Sequence, residues 1–345
     1  MIPLQHHETK LKSSRRPARV DSADLEVLRK YAKVRREPSM SASMAALDYH
    51  VLDVFTKQRF GGNPLAVVLD ADRLDSARMQ TIARELNLSE TVFVLKPSNA
   101  AHTARVRIFT PAAEMPFAGH PTVGTASLLA ELRLPPTHEG GEALVVLEEE
   151  IGPVRVGVRM RWGNAPFAEF DAPRLPEEVG IAPAVDRLAA AVGLIPSEIG
   201  FENHRPTRYS AGNTFTFLPV ASLEAIAKAQ VSSGHWDAAM ERATGAFLYC
   251  RQTVHTSSAF HARMFAPHHG IAEDPATGSA VAAFAGVVQR FDALPDGTHK
   301  RTIEQGFEMG RPSFIELSVM VEGGKLATVR IGGHAVRVAS GTIEV

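Results

Sequence analysis

The chain has 345 residues, enough for about two domains of ordinary size. Its 45% hydrophobic and 22% charged content is that of a globular protein, and 37 Lys and Arg against 38 Asp and Glu leave a net charge of −1. That balance gives no electrostatic footprint for nucleic acid or an anionic membrane. A single cysteine, Cys250, excludes a disulfide framework, a multi-cysteine zinc cage and any two-thiol mechanism. No stretch reaches the roughly 18 apolar residues of a membrane helix. The N-terminus has no apolar signal core, so a cytoplasmic protein is expected.

Residues 1–46 differ from the rest, with ten Lys and Arg against five Asp and Glu. They read as an N-terminal extension, either a disordered tail or a start placed too early, with one short helix at Asp24 to Val34. Met40 and Met44 stand just before the first strand-like run. Strands bounded by turn residues are then expected at Val51 to Phe55, Leu65 to Leu69, Thr91 to Leu95, Ala104 to Phe109, Ala143 to Leu147 and Val154 to Met160. Met79, Ile82, Ala83 and Leu86 follow helical spacing between them. Trp162 to Glu178, rich in Pro and Gly, reads as a linker. A second series follows, with a helix at Val185 to Val192 and strands near Phe215 to Val220, Phe247 to Cys250 and Phe260 to Phe265. After Pro275 come a helix and strands at Phe314 to Val321, Thr328 to Ile331, Ala335 to Val338 and Thr342 to Val345. Regular parallel crossovers are missing, so the fold class is α+β with a mainly antiparallel sheet.

The two series resemble each other. Arg107-Ile108-Phe109-Thr110-Pro111 returns as Arg263-Met264-Phe265-Ala266-Pro267, an offset of 156. Pro121-Thr122-Val123-Gly124-Thr125-Ala126 returns as Pro275-Ala276-Thr277-Gly278-Ser279-Ala280, an offset of 154, and Gly62-Asn63 matches Gly212-Asn213 at 150. The chain therefore reads as a duplicated domain, with repeats over 47–165 and 166–345. In each, Pro-x-x-Gly-(Thr/Ser)-Ala opens a helix, at Ala126 to Leu134 and Ala280 to Val288, apolar around most of its circumference and so buried. Two such helices aiming their positive ends at one cleft would hold a carboxylate or a developing enolate; two well-capped helices with no ligand is the plainer alternative.

Asn87-Leu88-Ser89-Glu90-Thr91-Val92-Phe93, Phe117-Ala118-Gly119-His120-Pro121 and Glu273-Asp274-Pro275-Ala276-Thr277-Gly278-Ser279 together resemble the phenazine-biosynthesis PhzF-like isomerase family. Asp53-Val54-Phe55, Gly62-Asn63-Pro64 and Met309-Gly310-Arg311-Pro312-Ser313 fit the same pattern, and the resemblance runs from about residue 48 to the C-terminus. It implies the diaminopimelate-epimerase-like fold: two pseudo-symmetric domains, each a curved sheet around a central helix, with the active site between them. The last strands can return to the first domain. It also implies homodimers and isomerisation without a cofactor or metal.

By that resemblance Glu90 is the catalytic acid/base. At the mouth of an apolar strand it would be partly desolvated, which suits a group that takes a proton from carbon and returns it elsewhere; read without the resemblance, a solvated strand-end Glu is the better account. Asp274 is either a helix cap or a second acid that orients the substrate. His120, before Pro121, hydrogen-bonds the substrate or relays a proton. Gly119, Gly278 and Ser279 supply donors for a carboxylate. Glu273 braces its loop or faces outward, and Arg311 is either a carboxylate clamp or part of a turn. No acidic twin of Glu90 is evident in the second repeat, where Ala243-Thr244-Gly245-Ala246-Phe247 lies. His6-His7 and His268-His269 lack companions for a metal site, and Cys250 reads as a small buried apolar residue. The expected activity is proton transfer on a small unsaturated carboxylate by one Glu. The rivals are a racemase, epimerase or lyase on the same scaffold, and a carboxylate-binding protein without catalysis.

Overall fold

The computed structural model of the protein describes residues 46–133, 140–240 and 243–345. The N-terminal extension, with its expected helix at Asp24 to Val34 and with His6-His7, lies outside them, as does Leu134. The first series contains β1 (Ala46–Val54), β2 (Asn63–Val68), α1 (Ser76–Leu86), β3 (Glu90–Leu95), β4 (Ala104–Phe109), β5 (Glu114–Met115), α2 (Gly119–Arg133), β6 (Gly141–Glu149), β7 (Gly152–Met160) and β8 (Phe167–Asp171). The second contains β9 (Glu177–Glu178), α3 (Val185–Ala191), β10 (Thr207–Ser210), β11 (Thr214–Pro219), α4 (Leu223–Lys228), α5 (Ser233–Met240) and β12 (Gly245–Cys250). It ends with β13 (Phe260–Ala266), β14 (Ile271–Asp274), α6 (Gly278–Asp292), β15 (Gly297–Gln305), β16 (Ser313–Glu322) and β17 (Lys325–Glu344).

Strand pairing repeats step for step. β1 and β2 pair antiparallel, β2 and β3 parallel, β3 and β4 antiparallel, β4 and β6 parallel, β6 and β7 antiparallel. The same sequence of senses runs through β10, β11, β12, β13, β15 and β16. Most pairs are antiparallel, and the mixed sheet carries few helices. β17 joins the two series. Its start pairs with β16, Arg330–His334 with β8, and Ala335–Glu344 with β1, so β1-β2-β3-β4-β6-β7-β8-β17 closes into a ring. α2 packs against β1, β2, β3, β6, β7, β8 and β17, and α6 against β10, β11, β16 and β17. Both helices are enclosed because their sequences offer almost no polar face: Gly119 to Ala130 is buried throughout, and α6 exposes little beyond Gln289 and Arg290.

Side chains repeat too. Glu148, near the end of β6, accepts the backbone N–H groups of Ser98 and Asn99 and contacts His102 Nδ1, each at 2.8 Å. Glu304, near the end of β15, accepts those of Val254 (2.6 Å) and His255 (3.1 Å) and contacts His261 Nδ1 at 2.8 Å. Arg107 grips Glu114 with two bonds of 2.6 and 2.5 Å, and Arg263 grips Glu273 with two of 2.8 Å. Glu273 thus braces its loop.

Several local readings need correction. The expected linker, Trp162 to Glu178, contains β8, which is half of the junction with β17. The strands expected at Thr328, Ala335 and Thr342 are one 20-residue strand. Its Gly333 is not a break: a Cβ there would lie 2.3 Å from Phe55, so glycine admits that ring beside the backbone. β15 was hidden because Gly297 to Thr302 is polar and largely open to solvent, and only its last three residues are buried.

Phe284 of α6 is fully buried, with ring centroids of Tyr249, Phe260, Phe247 and Phe217 at 4.6 to 5.7 Å. Phe284→Ala is expected to cost about 3–5 kcal/mol, read as a lower denaturation midpoint at unchanged slope in urea unfolding.

Candidate active site

α2 and α6 begin against each other. A Cβ built on Gly119 would lie 3.1 Å from Gly278 Cα and 3.3 Å from the Ser279 backbone nitrogen; one on Gly278 would lie 3.2 Å from Phe55 Cζ. Only glycine permits this approach, and it brings two sets of unpaired first-turn N–H groups, with both positive helix ends, to one place. The repeat is thereby re-registered. The helices start at Gly119 and Gly278, an offset of 159, and not at the Pro-x-x-Gly strings matched at 154. Pro121 is the third residue of α2, whereas Pro275 precedes α6 by three residues. His120 and Ser279 are therefore the structural counterparts.

Glu90 opens β3, whose six residues are all buried, and lies opposite Leu65 of β2. Its side chain is 12% exposed, and its Oε2 lies 3.0 Å from His120 Nε2. The two atoms are in charge contact but not aligned as a hydrogen bond, and neither has another partner. On the other edge of the ring His120 Nδ1 faces the Asn63 amide nitrogen at 3.3 Å. That nitrogen also donates to Asp274 Oδ1 (2.8 Å) and to the Ala276 carbonyl (2.9 Å), so it must be the NH₂ end of the amide. The two hydrogens of that NH₂ go to Asp274 and Ala276, so its contact with His120 Nδ1 is the longest of the three. Burial works against an imidazolium here, but Glu90 and then Asp274 outweigh it, and the His120 pKa stands above its ordinary value.

Asp274 ends β14 and is buried. Its Oδ2 accepts from Thr277 Oγ1 at 2.6 Å, and its backbone carbonyl accepts from Gln305 Nε2 at 2.7 Å. Burial and then the charge of Glu90 push its pKa up to about 6, against the opposing pull of His120, Thr277 and Asn63. Glu90, His120, Asp274, Gly119, Gly278 and Ser279 all converge on one spot, Ser279 being the most open of them.

Sequence reasoning passed over Asn63, Thr277 and Gln305 as site residues. Asn63 carried a signal, the Gly62-Asn63 match to Gly212-Asn213, but its partner Asp274 lies 211 residues away. Arg311 is a brace and not a free clamp. It binds Asp53 Oδ1 at 2.5 Å and the carbonyls of Gly61 and Gly62 at 2.7 and 2.8 Å, fixing the turn that leads into Asn63. Cys250 is buried, and burial pushes its thiol up to about 12. A surface cavity of about 670 Å³, lined among others by Lys57, Arg159, Phe167 and His334, shares no residue with the cluster.

A family model described as phenazine biosynthesis-like protein matches residues 52–341. The chain belongs to that family, and it is an isomerase. It is 53% identical over 305 residues to an uncharacterized isomerase of Mesorhizobium japonicum, covering 87% of this chain and 99% of the relative. It is 35% identical over 295 residues to the trans-2,3-dihydro-3-hydroxyanthranilate isomerase of Pseudomonas aeruginosa, covering 85% and 98%. Among solved structures it is similar to the PhzF-family phenazine biosynthesis protein of Bacillus anthracis, with a TM-score of 0.78 at 27% identity over 87% of this chain and 100% of that one. No helix among the described residues is long and apolar enough to cross a membrane.

Gly119→Ala places a methyl group 3.1 Å from the Gly278 backbone and must push the helix starts apart. The expected outcome is a folded protein destabilised by about 1–3 kcal/mol, with turnover reduced far more than that loss of stability explains. Thermal unfolding beside steady-state kinetics checks it.

Proposed function

We propose that this isomerase moves a proton along a small unsaturated carboxylate without a cofactor, with Glu90 as its single acid/base. The observation that carries the reading is what stands opposite Glu90 in the repeated pairing. Glu90 begins β3 across from Leu65; its counterpart at the start of β12, across from Phe215, is Gly245. A Cβ on Gly245 would lie 2.4 Å from the Phe265 carbonyl oxygen, so that position has no room for any side chain, acidic or otherwise. Met115 likewise holds the position matching Asp274, counting from the two helix starts. Proton transfer is therefore one-sided, which suits movement along one face of a substrate and disfavours two-base racemisation.

The substrate carboxylate lies on the N–H groups of Gly119, Gly278 and Ser279, where the two helix ends also stabilise negative charge as it develops. Glu90 takes a proton from a carbon acidified by conjugation. The electron pair shifts along the unsaturated system, and Glu90 returns the proton at its far end. His120, in charge contact with Glu90, orients that carboxylate beside the substrate; Asp274, fixed by Asn63 and Thr277, orients the substrate's polar group. Relatives named trans-2,3-dihydro-3-hydroxyanthranilate isomerase make a hydroxylated amino-cyclohexadiene carboxylate the substrate class to test first. In the same reading 47–165 and 166–345 are pseudo-symmetric repeat domains, β17 closing the first; the family resemblance supports a homodimer, and a cytoplasmic location belongs to the same proposal.

Glu90→Gln is expected to lower kcat on trans-2,3-dihydro-3-hydroxyanthranilate by about 10²–10⁴-fold, with unchanged circular dichroism and undiminished 2-aminobenzoate binding. In deuterium oxide the native enzyme should place label at the carbon that receives the proton. Full activity in Glu90→Gln, or label confined to the α carbon with no shift of a double bond, defeats the assignment.

A further inference from the structure

Glu149 is a buried carboxyl that the reaction does not use. It ends β6 as Gln305 ends β15; both strands have nine residues, and both join their neighbours through matching parallel pairs, Ala104 with Leu147 and Phe260 with Ile303. Gln305 holds the approach to α6. Its Nε2 donates to the Asp274 carbonyl (2.7 Å) and to Thr277 Oγ1 (3.1 Å), and its Oε1 accepts the Thr277 N–H (3.2 Å). Glu149 stands at the approach to α2. Its Oε1 lies 2.7 Å from Thr122 Oγ1, which in turn lies 2.8 Å from the Ala118 carbonyl oxygen.

One hydroxyl carries one proton and cannot serve both oxygens fully. Both contacts become good hydrogen bonds when Glu149 itself carries a proton and donates it to Thr122, leaving the Thr122 O–H for Ala118. The carbonyl of Ala118 and the N–H of Gly119 belong to one planar peptide, so holding the first aims the second. We propose that Glu149 is a positioning residue that works as a neutral acid, locking the Gly119 N–H toward the substrate carboxylate just as the amide of Gln305 locks the approach to α6. The inference rests on the isomerase reading only in assigning that N–H to substrate.

The surroundings of Glu149 support it. Burial pushes its carboxyl up to about 8, with the Thr122 hydrogen bond opposing, and among the described residues no charged neighbour contributes. Glu148 turns away to Ser98, Asn99 and His102, and Glu150 is exposed. On β7 it faces Gly152, which has no side chain.

Glu149→Gln installs its twin's amide, which has no acidic proton to lose. In the native protein, kcat/KM on trans-2,3-dihydro-3-hydroxyanthranilate should fall above about pH 8, through KM, and level off about tenfold lower. In Glu149→Gln that fall should disappear. Thr122→Val should raise KM about tenfold with kcat little changed, and Thr122→Ser should restore it. The same limb and losses should appear in 2-aminobenzoate affinity by calorimetry, which keeps the test valid if the compound is not turned over.

A measurement free of ligand reads the proton itself. The folded chain keeps the Glu149 proton up to about pH 8 while the unfolded chain loses it near the ordinary Glu value, so native stability should fall from about pH 5 to 8 and stay lower above. The Tm of Glu149→Gln should therefore gain on the native protein over that interval. Parallel Tm curves, an alkaline limb that survives in Glu149→Gln, or an unchanged KM in Thr122→Val would each overturn the proposal.

Discussion

The contact between Gly119 and Gly278 is the constraint on which the rest of the molecule depends. Two helix starts within van der Waals reach of each other collect unpaired N–H groups and two positive dipole ends in one place. Bringing them there requires both helices to be sunk into sheet, which explains their nearly continuous apolar sequence and the long β17 strand that spans both series of strands. It also forbids a side chain at either glycine, so the polar side chains at the seam come from neighbouring positions: His120 and Ser279 one residue along, and Glu90, Asp274 and Asn63 from strands converging on it.

The symmetry of the backbone makes the asymmetry of the chemistry legible. Paired positions often keep the same job, as with Glu148 and Glu304 or the Arg107–Glu114 and Arg263–Glu273 grips. Those are scaffolding, and a duplicated scaffold needs the same scaffolding twice. Where the pairs differ, they differ at the seam: Glu90 against Gly245, Asp274 against Met115, His120 against Ser279. At Gly245 the second series has no room for any side chain where the first carries Glu90.

Desolvation is what gives those groups their character. Glu90, His120 and Asp274 lie together with little access to water, where ionised groups hold one another strongly and an unpaired polar atom is costly. Asn63 ties the cluster together, its amide nitrogen donating to Asp274 Oδ1 and to the Ala276 carbonyl beside the His120 ring. Arg311 and Asp53 support Asn63 from behind, so a charged pair outside the cluster sets the geometry within it.

Alternation, helical apolarity and a repeated pattern, all local properties of the chain, made the mixed, mainly antiparallel character, the repeat and the two enclosed helices legible in the sequence; the six residues that meet at the helix starts were picked out by the family resemblance. The sequence also left Ala243 to Phe247 without an acid, as the structure has it at Gly245. The true offset of the repeat was decided by tertiary structure, since Pro-x-x-Gly strings match by composition while helix starts match by contact. So were the strands β8 and β15, which read as linker or polar text until a partner strand satisfies their backbone. Asn63 and Gln305 became visible as parts of the site, and Glu149 as a support behind it, only in three dimensions. A hydrogen bond across 211 residues, or a proton forced onto a carboxyl by a single hydroxyl, leaves no trace in the order of the amino acids; it exists only where folding has removed the water that would otherwise serve those atoms.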